Sequence, residues 1–533
     1  MLAPRRAWLL LPLLAAAAAA QWEPGPLRVG FTRHWSLDPA RTYDTTYADG
    51  TTYAGGGQAP RPILVNVWYP AMPAKDAAPL QRGDYLDVSS CAGADARLAA
   101  FARALEACAR GVVADELLDE PAAERDAADE AALAQMLSAP ALAVRDAPPL
   151  IGRYPLVIYH PGYGSSYEDD AAFCERLASA GYVVASSAYQ QADGASFNID
   201  AHDGSLRDFD LLIRELSARP DVDAARLALA GHSGGAHTAF RAQARAQAPW
   251  DALVILDTTE DYWPAREPRW THPPDVLAAP GNFRVPMLVA TGREAIFDLV
   301  DRLTSADRWY LTFRELDHDA FIEQGVLTAE LAAQRAPPEA AEESRDAART
   351  ARQGFDRVCQ TARLFLDSNL KADAAAAAAL SALAASCPAG DVPFRLEHVP
   401  SGVSAPAPWD PASVVPPEPR QLRGALAALG AEELVARLEV WHASQPQLPI
   451  FGLTFSMSLM WDLVDAGRLD EARALAPFYG RIQPKAAGVV MWIVGLSAAP
   501  EREAWKGSML QAAALLAPDD AEVKAALEAW RKR

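Results

Sequence analysis

The chain has 533 residues, half of them hydrophobic, which is enough for a sizeable core and two or three domains. Its 69 acidic and 49 basic side chains give a formal net charge of −20. That argues against DNA, RNA or anionic membrane surfaces as partners, because binding them needs clustered Lys and Arg. The histidines are scattered and no cysteine pair has Cys-x-x-Cys spacing, so neither a metal nor another cofactor is expected.

Taken in chain order, the first twenty residues read as a signal peptide. Arg5 and Arg6 form its positive part, Ala7 to Leu14 its apolar part, and Ala15 to Ala20 its small-residue cleavage region. This predicts a secreted or periplasmic protein, and export permits disulfides. Cys91 with Cys108 and Cys359 with Cys387 are the pairs closest in sequence, while Cys174 lies in an apolar helical pattern as a core residue. No other run is long enough to span a bilayer.

Leu27–Trp35 and Ile63–Tyr69 read as strands, with a loop over Thr42–Gly57 between them. Residues 92–142 are rich in Ala, Leu, Asp and Glu with helical periodicity, and predict an inserted helical cap. Strands are then expected at Pro155–His160, Tyr182–Tyr189, Leu227–Ala230, Leu253–Leu256, Met287–Ala290 and Tyr310–Phe313. Helices are expected at Glu168–Ala180, Leu206–Arg219, His237–Gln247 and Arg352–Leu370. Apolar strands alternating with helices imply an α/β domain, residues 21–372, built on a mostly parallel sheet. Residues 373–420 read as a linker that holds an Ala-rich helix and a Pro-rich stretch. Residues 421–533 read as helices only. Within them Gly467, Ala472 and Pro484 are spaced like the second helix of a tetratricopeptide repeat, and Pro484 and Pro518 stand one such period apart. A plain helical bundle fits this segment as well.

The most informative stretch is Gly231-His232-Ser233-Gly234-Gly235, between an apolar strand and a helix. In that context Gly-x-Ser-x-Gly is a nucleophile elbow, with Ser233 on a turn too sharp for bulky neighbours. A serine hydroxyl needs a base, and the base needs an orienting acid, following the serine in the order acid then histidine. The candidates for the base are His237, His272, His318, His398 and His442. His318, just after the last strand, is preferred, with His272 next. The loop after Met287–Ala290 reads Gly292-Arg293-Glu294-Ala295 and lacks the expected Asp. Asp257, at the end of Leu253–Leu256, is therefore taken as the acid, with Glu294 and Asp298 as alternatives. Asp317 and Asp319 read as solvated loop residues. The oxyanion hole needs two backbone N–H groups, and Tyr163 in His160-Pro161-Gly162-Tyr163-Gly164 and Gly234 are the expected donors. His160 reads as structural.

Val67-Trp68-Tyr69-Pro70, His160–Gly164, Ala180–Val184, Gly231–Gly235, Leu256-Asp257 and the helix end Leu366–Lys371 occur in the order seen in bacterial α/β-hydrolases. Over roughly residues 25–372 the chain resembles those similar to the platelet-activating-factor acetylhydrolases, and more distantly the dienelactone hydrolases. The resemblance implies a Ser233–Asp257–His318 triad, Tyr163 and Gly234 as oxyanion donors, and an ester substrate. The chain departs from that family in its helical insert, its C-terminal helices and Gly234, where the family usually carries a bulky residue.

An exported hydrolase of small-molecule esters is thus the first expectation. A non-catalytic protein that binds a protein partner through its C-terminal helices, and a peptidase or amidase on the same triad, are the alternatives. The helical insert and the Trp-rich loop 262–270 are expected to shape the pocket.

Overall fold

The computed structural model describes residues 24–43, 59–93, 95–118, 123–189, 202–258, 278–292, 295–386, 394–403, 419–444, 453–485 and 503–532, with a few single positions between them. The expected signal peptide, His272, Glu294, Cys387 and the loop 262–270 lie outside the described residues.

Among the described residues, ten strands form one sheet. They are β1 (Arg28–Tyr43), β2 (Ala59–Ala71), β3 (Ala143–Arg145), β4 (Tyr154–His160), β5 (Val183–Ser186), β6 (Val222–His232), β7 (Ala252–Leu256), β8 (Met287–Gly292), β9 (Arg308–Phe313) and β10 (Phe394–Val399). Their order is β10-β9-β8-β7-β6-β4-β5-β2-β1-β3. Every neighbouring pair from β5 across to β9 is parallel, whereas β2 runs antiparallel to β1 and β5, and β10 runs antiparallel to β9.

The central strands read as unbroken apolar runs because both faces are covered. Leu227, Leu229, Leu253 and Ile255 enter one core, while Ala228, Ala230, Val254 and Leu256 enter the other. The helices of this part are α1 (Ala96–Leu118), α2 (Ala127–Leu137), α3 (Ala171–Ser179), α4 (His202–Leu216), α5 (Gly234–Ala244), α6 (Glu323–Arg335), α7 (Ala341–Leu370) and α8 (Ala374–Ser386). Phe209 and Leu212 of α4, with Ala236, Ala239 and Phe240 of α5, close the first core. The second is closed by Phe173 and Leu177 of α3 and by Phe355, Val358, Ala362 and Phe365 of α7, which recur at helical spacing. This is the α/β architecture expected from the sequence, a mostly parallel sheet covered on both faces, with a helical insert and a C-terminal helical part.

The insert has its own small core. Leu98, Phe101, Leu105 and Ala109 of α1 pack with Leu327 and Leu331 of α6. Arg335 of α6 donates to the Leu118 carbonyl (3.0 Å) and pairs with Asp129 of α2 (2.7 Å). The sequence reading did not anticipate α6, nor that α7 starts as early as Ala341. It also treated 373–420 as a linker, but Phe394–Val399 is a strand on the sheet edge. That strand is short and buries Leu396 and Val399 while carrying Arg395, Glu397 and His398, so its composition resembles a loop.

No disulfide joins Cys91 to Cys108: Cys91 keeps its thiol and donates it to the Val88 carbonyl. Cys359 is likewise a buried thiol, and its expected partner Cys387 lies outside the described residues. Cys174 is a buried core thiol, as its pattern predicted.

The remaining helices are α9 (Pro419–Leu429), α10 (Ala431–Ser444), α11 (Leu453–Asp465), α12 (Leu469–Ile482), α13 (Glu503–Leu516) and α14 (Ala521–Arg531). They share a core that includes Leu434, Leu438, Trp441, Trp461, Leu475, Phe478 and Met509, and that takes in Ile296 from the loop after β8. Helices α12 and α13 begin 34 residues apart, and each ends two residues before a proline, Pro484 and Pro518. Among the described residues no helix is long and apolar enough to cross a membrane.

Arg420 at the start of α9 ties these helices to the sheet. Its side chain is 2% exposed and pairs with Asp301 (3.1 Å) and with Glu397 of β10 (3.4 Å), while its guanidinium lies 4.1 Å from the Tyr310 ring centre. Arg420→Met keeps the apolar stem but strands a buried carboxylate. It is expected to lower stability by about 3–5 kcal/mol, read as a lower midpoint in urea unfolding.

Candidate active site

β6 ends at His232 and α5 begins at Gly234, so Ser233 makes the turn between them, at φ 50° and ψ −116°. A non-glycine residue held there carries strain of roughly 1–3 kcal/mol, tolerated only where packing dictates it. The packing is tight. A Cβ on Gly231 would stand 2.5 Å from the Gly235 carbonyl carbon, and one on Gly235 would stand 2.1 Å from the His160 oxygen. The Ser233 N–H donates to the Leu256 carbonyl (2.9 Å), which fixes the turn against β7.

His318 opens a short turn, His318–Phe321, after β9. Its Nε2 stands 3.0 Å from Ser233 Oγ, and its Nδ1 stands 2.6 Å from Asp257 Oδ2. Asp257 follows β7, is 2% exposed, and is itself at positive φ (42°). Its N–H donates to the Ala290 carbonyl (2.7 Å), and its Oδ1 accepts from the Gly292 N–H (3.1 Å). The loop after β8, where the sequence lacks the expected Asp, therefore orients the acid instead of supplying it.

The other candidates lie elsewhere. His237 is buried with its ring edge-on to Tyr163, and His398 stacks on Trp309 at the sheet edge (4.2 Å). His442 lies in α10 of the C-terminal helices. Asp298 pairs with Arg302 (3.2 Å) and Arg423 (3.8 Å). Asp317 and Asp319 are exposed, as expected. His160 is buried, stacked on Tyr189 (3.9 Å) and bonded to Ser205 (2.9 Å) and the Pro161 carbonyl (2.8 Å), a structural role.

Sequence reasoning gave His232 no role. It is buried, its ring lies 4.8 Å from that of His318, and its Nε2–H donates to the His318 carbonyl (3.2 Å). Burial, and then the neighbouring His318, hold its pKa well below the ordinary histidine value, so it remains neutral. Its place inside the elbow was the one available signal. The loop after β4 packs onto the same turn: a Cβ on Gly162 would stand 3.2 Å from His232 Nδ1 and 3.4 Å from Ser233 Cβ. Tyr163 is the next residue of that loop, and Gly234 heads α5, so both expected oxyanion donors flank Ser233.

Burial pulls the His318 pKa down, but the hydrogen bond to Asp257 and that carboxylate's charge, with Asp319, outweigh it and hold the pKa above 6.5. Beside the site lies a group of buried and half-buried carboxyls. Glu168, Asp169 and Asp170 follow the Tyr163 loop, Glu175 lies in α3, and Glu116 comes from α1. Burial is the main cause that raises each. Glu168 and Glu175 are pushed up to about 7, and Glu116, which also faces Glu168 and Asp319, to about 8. Asp169 and Asp170 are held well above the usual carboxylate range.

No family model and no curated protein matches the chain. Among solved structures, a ferulic acid esterase from Streptomyces cinnamoneus aligns at 19% identity and a TM-score of 0.43, covering 66% of this chain and 93% of that one.

The raised carboxyls keep protons in the fold that an unfolded chain releases near pH 4.5. Their contribution to stability is full below that pH and is lost as pH rises through 7 and 8. The melting temperature is expected to fall between pH 6 and pH 9. Glu116→Gln, which stays neutral, is expected to flatten that fall in melts followed by circular dichroism.

Proposed function

We propose that the protein is a serine hydrolase that cleaves carboxylic esters of small molecules. The observation that carries this reading is the unbroken line from Ser233 Oγ through His318 to the buried Asp257. Ser233 Oγ attacks the ester carbonyl carbon as His318 Nε2 takes its proton. Asp257, accepting from Nδ1–H, keeps the imidazole in the tautomer whose Nε2 is a base, and stabilises the imidazolium. The N–H groups of Tyr163 and Gly234 receive the oxyanion. The imidazolium then protonates the departing alkoxide. Water, deprotonated by His318, releases the acyl group and regenerates Ser233. No cofactor enters any step.

The resemblance to the acetylhydrolases supports esters ahead of amides, and the residues Arg5 to Ala20 support export to the periplasm or medium. The 34-residue spacing of α12 and α13 supports reading the C-terminal helices as degenerate tetratricopeptide units.

Ser233→Ala is expected to lower p-nitrophenyl acetate hydrolysis by several orders of magnitude, and Asp257→Asn by about 10⁴-fold. Equal slow rates for wild type and Ser233→Ala would refute the reading. Because His318 must be neutral to act as base and its pKa is raised, kcat/KM is expected to rise with pH. The acid limb should have its inflection above 6.5. An inflection at or below that value would contradict the coupling to Asp257.

A further inference from the structure

Gly234 and Gly235 leave the first turn of α5 without side chains beside Ser233. The space over Gly234 is nevertheless filled. A Cβ built there would stand 2.1 Å from Tyr163 Cδ1 and 2.4 Å from both Cγ and Cε1. The Tyr163 ring therefore rests on the Gly234 backbone, with its centre 5.7 Å from that of His237 at an interplanar angle of 72°. The residue is half-buried. Its loop is pinned where Gly162 packs on His232 and Ser233, and turns at Gly164 through a left-handed conformation (φ 76°).

We propose that the Tyr163 ring is the specificity-determining wall of the ester site, taking the place of the side chain that Gly234 lacks and favouring short acyl groups over long ones. The inference rests on the hydrolase reading. An ester carbonyl held between the Tyr163 and Gly234 N–H groups brings its acyl substituent against the side chain that stands between those two residues, and that side chain is the Tyr163 ring. Wall and donor belong to one residue, so a displaced ring also moves a hydrogen bond to the oxyanion. Glycine at 234 is then a steric requirement of Tyr163.

The test compares kcat/KM for p-nitrophenyl acetate, butyrate and octanoate in the full chain. Tyr163→Ala is expected to raise the octanoate-to-acetate ratio about tenfold or more, and Tyr163→Phe, which keeps the ring, to retain the wild-type ratio. Tyr163→Leu gives an intermediate ratio and stands in if Tyr163→Ala does not fold. Gly234→Ala is expected to cost about a hundredfold on every ester by displacing ring and donor, and adding Tyr163→Ala to it recovers most of that loss. Ratios that do not move, or losses in the double variant that multiply, overturn the wall while Ser233-dependent turnover persists. Absence of Ser233-dependent turnover on every ester overturns the hydrolase reading, and the wall with it.

Discussion

A single backbone turn sets the geometry of the site. Ser233 is held at positive φ between a strand and a helix, and its N–H is bonded to the last residue of β7. Three consequences follow from that one constraint. Residues 231 and 235 can carry no side chain, because the chain passes too close to itself and to the His160 carbonyl. His232 is driven into the interior, where it grips the backbone of His318. Asp257, one residue past the carbonyl that receives the Ser233 N–H, leaves β7 beside the serine, where His318 can bridge the two. Strain at Ser233 is thus maintained by the parallel sheet around it, whose two apolar cores supply the packing.

The electrostatics of the region follow from burial in a strongly acidic chain. Asp257 is buried but has donors from Gly292 and His318. The carboxyls beyond the Tyr163 loop have fewer compensating cations. Arg82 meets Glu323 (3.2 Å), and Arg176 meets Asp356 (2.7 Å), leaving Glu168, Asp169 and Glu116 to repel one another. A buried carboxyl without a cation keeps its proton. The same physics explains why His318, although partly desolvated, is held toward its charged form: it has the acid that its neighbours lack.

The insert and the C-terminal helices attach to this frame differently. The insert shares a core with α6, the helix that leaves the His318 turn, so its packing reaches the elements that carry the base. The C-terminal helices share their core with Ile296 of the loop after β8, and meet the rest of the chain there, at Asp298, and at β10 through Arg420.

Much of the fold could be read from residue patterns alone. Unbroken apolar runs such as Leu253–Leu256 mark strands covered on both faces, and the glycines around Ser233 mark a turn that only small residues allow. What periodicity could not reveal lies where an element is short or draws its burial from distant partners. β3 has three residues, β10 mixes charged and apolar side chains on an edge, and α6 buries Leu327 and Leu331 against α1, more than two hundred residues earlier. Cysteine proximity in sequence likewise said nothing about proximity in space. By itself the sequence determined a nucleophile candidate, a parallel sheet and a short set of bases and acids, because strand and turn preferences are local. Only the tertiary structure decided which members of that set meet. The side-by-side order of β6, β7, β8 and β9 places Asp257 and His318 at Ser233, aims the Gly292 N–H at the acid, and lays the Tyr163 ring on Gly234. Such convergence depends on neighbours in the sheet, which no local pattern encodes.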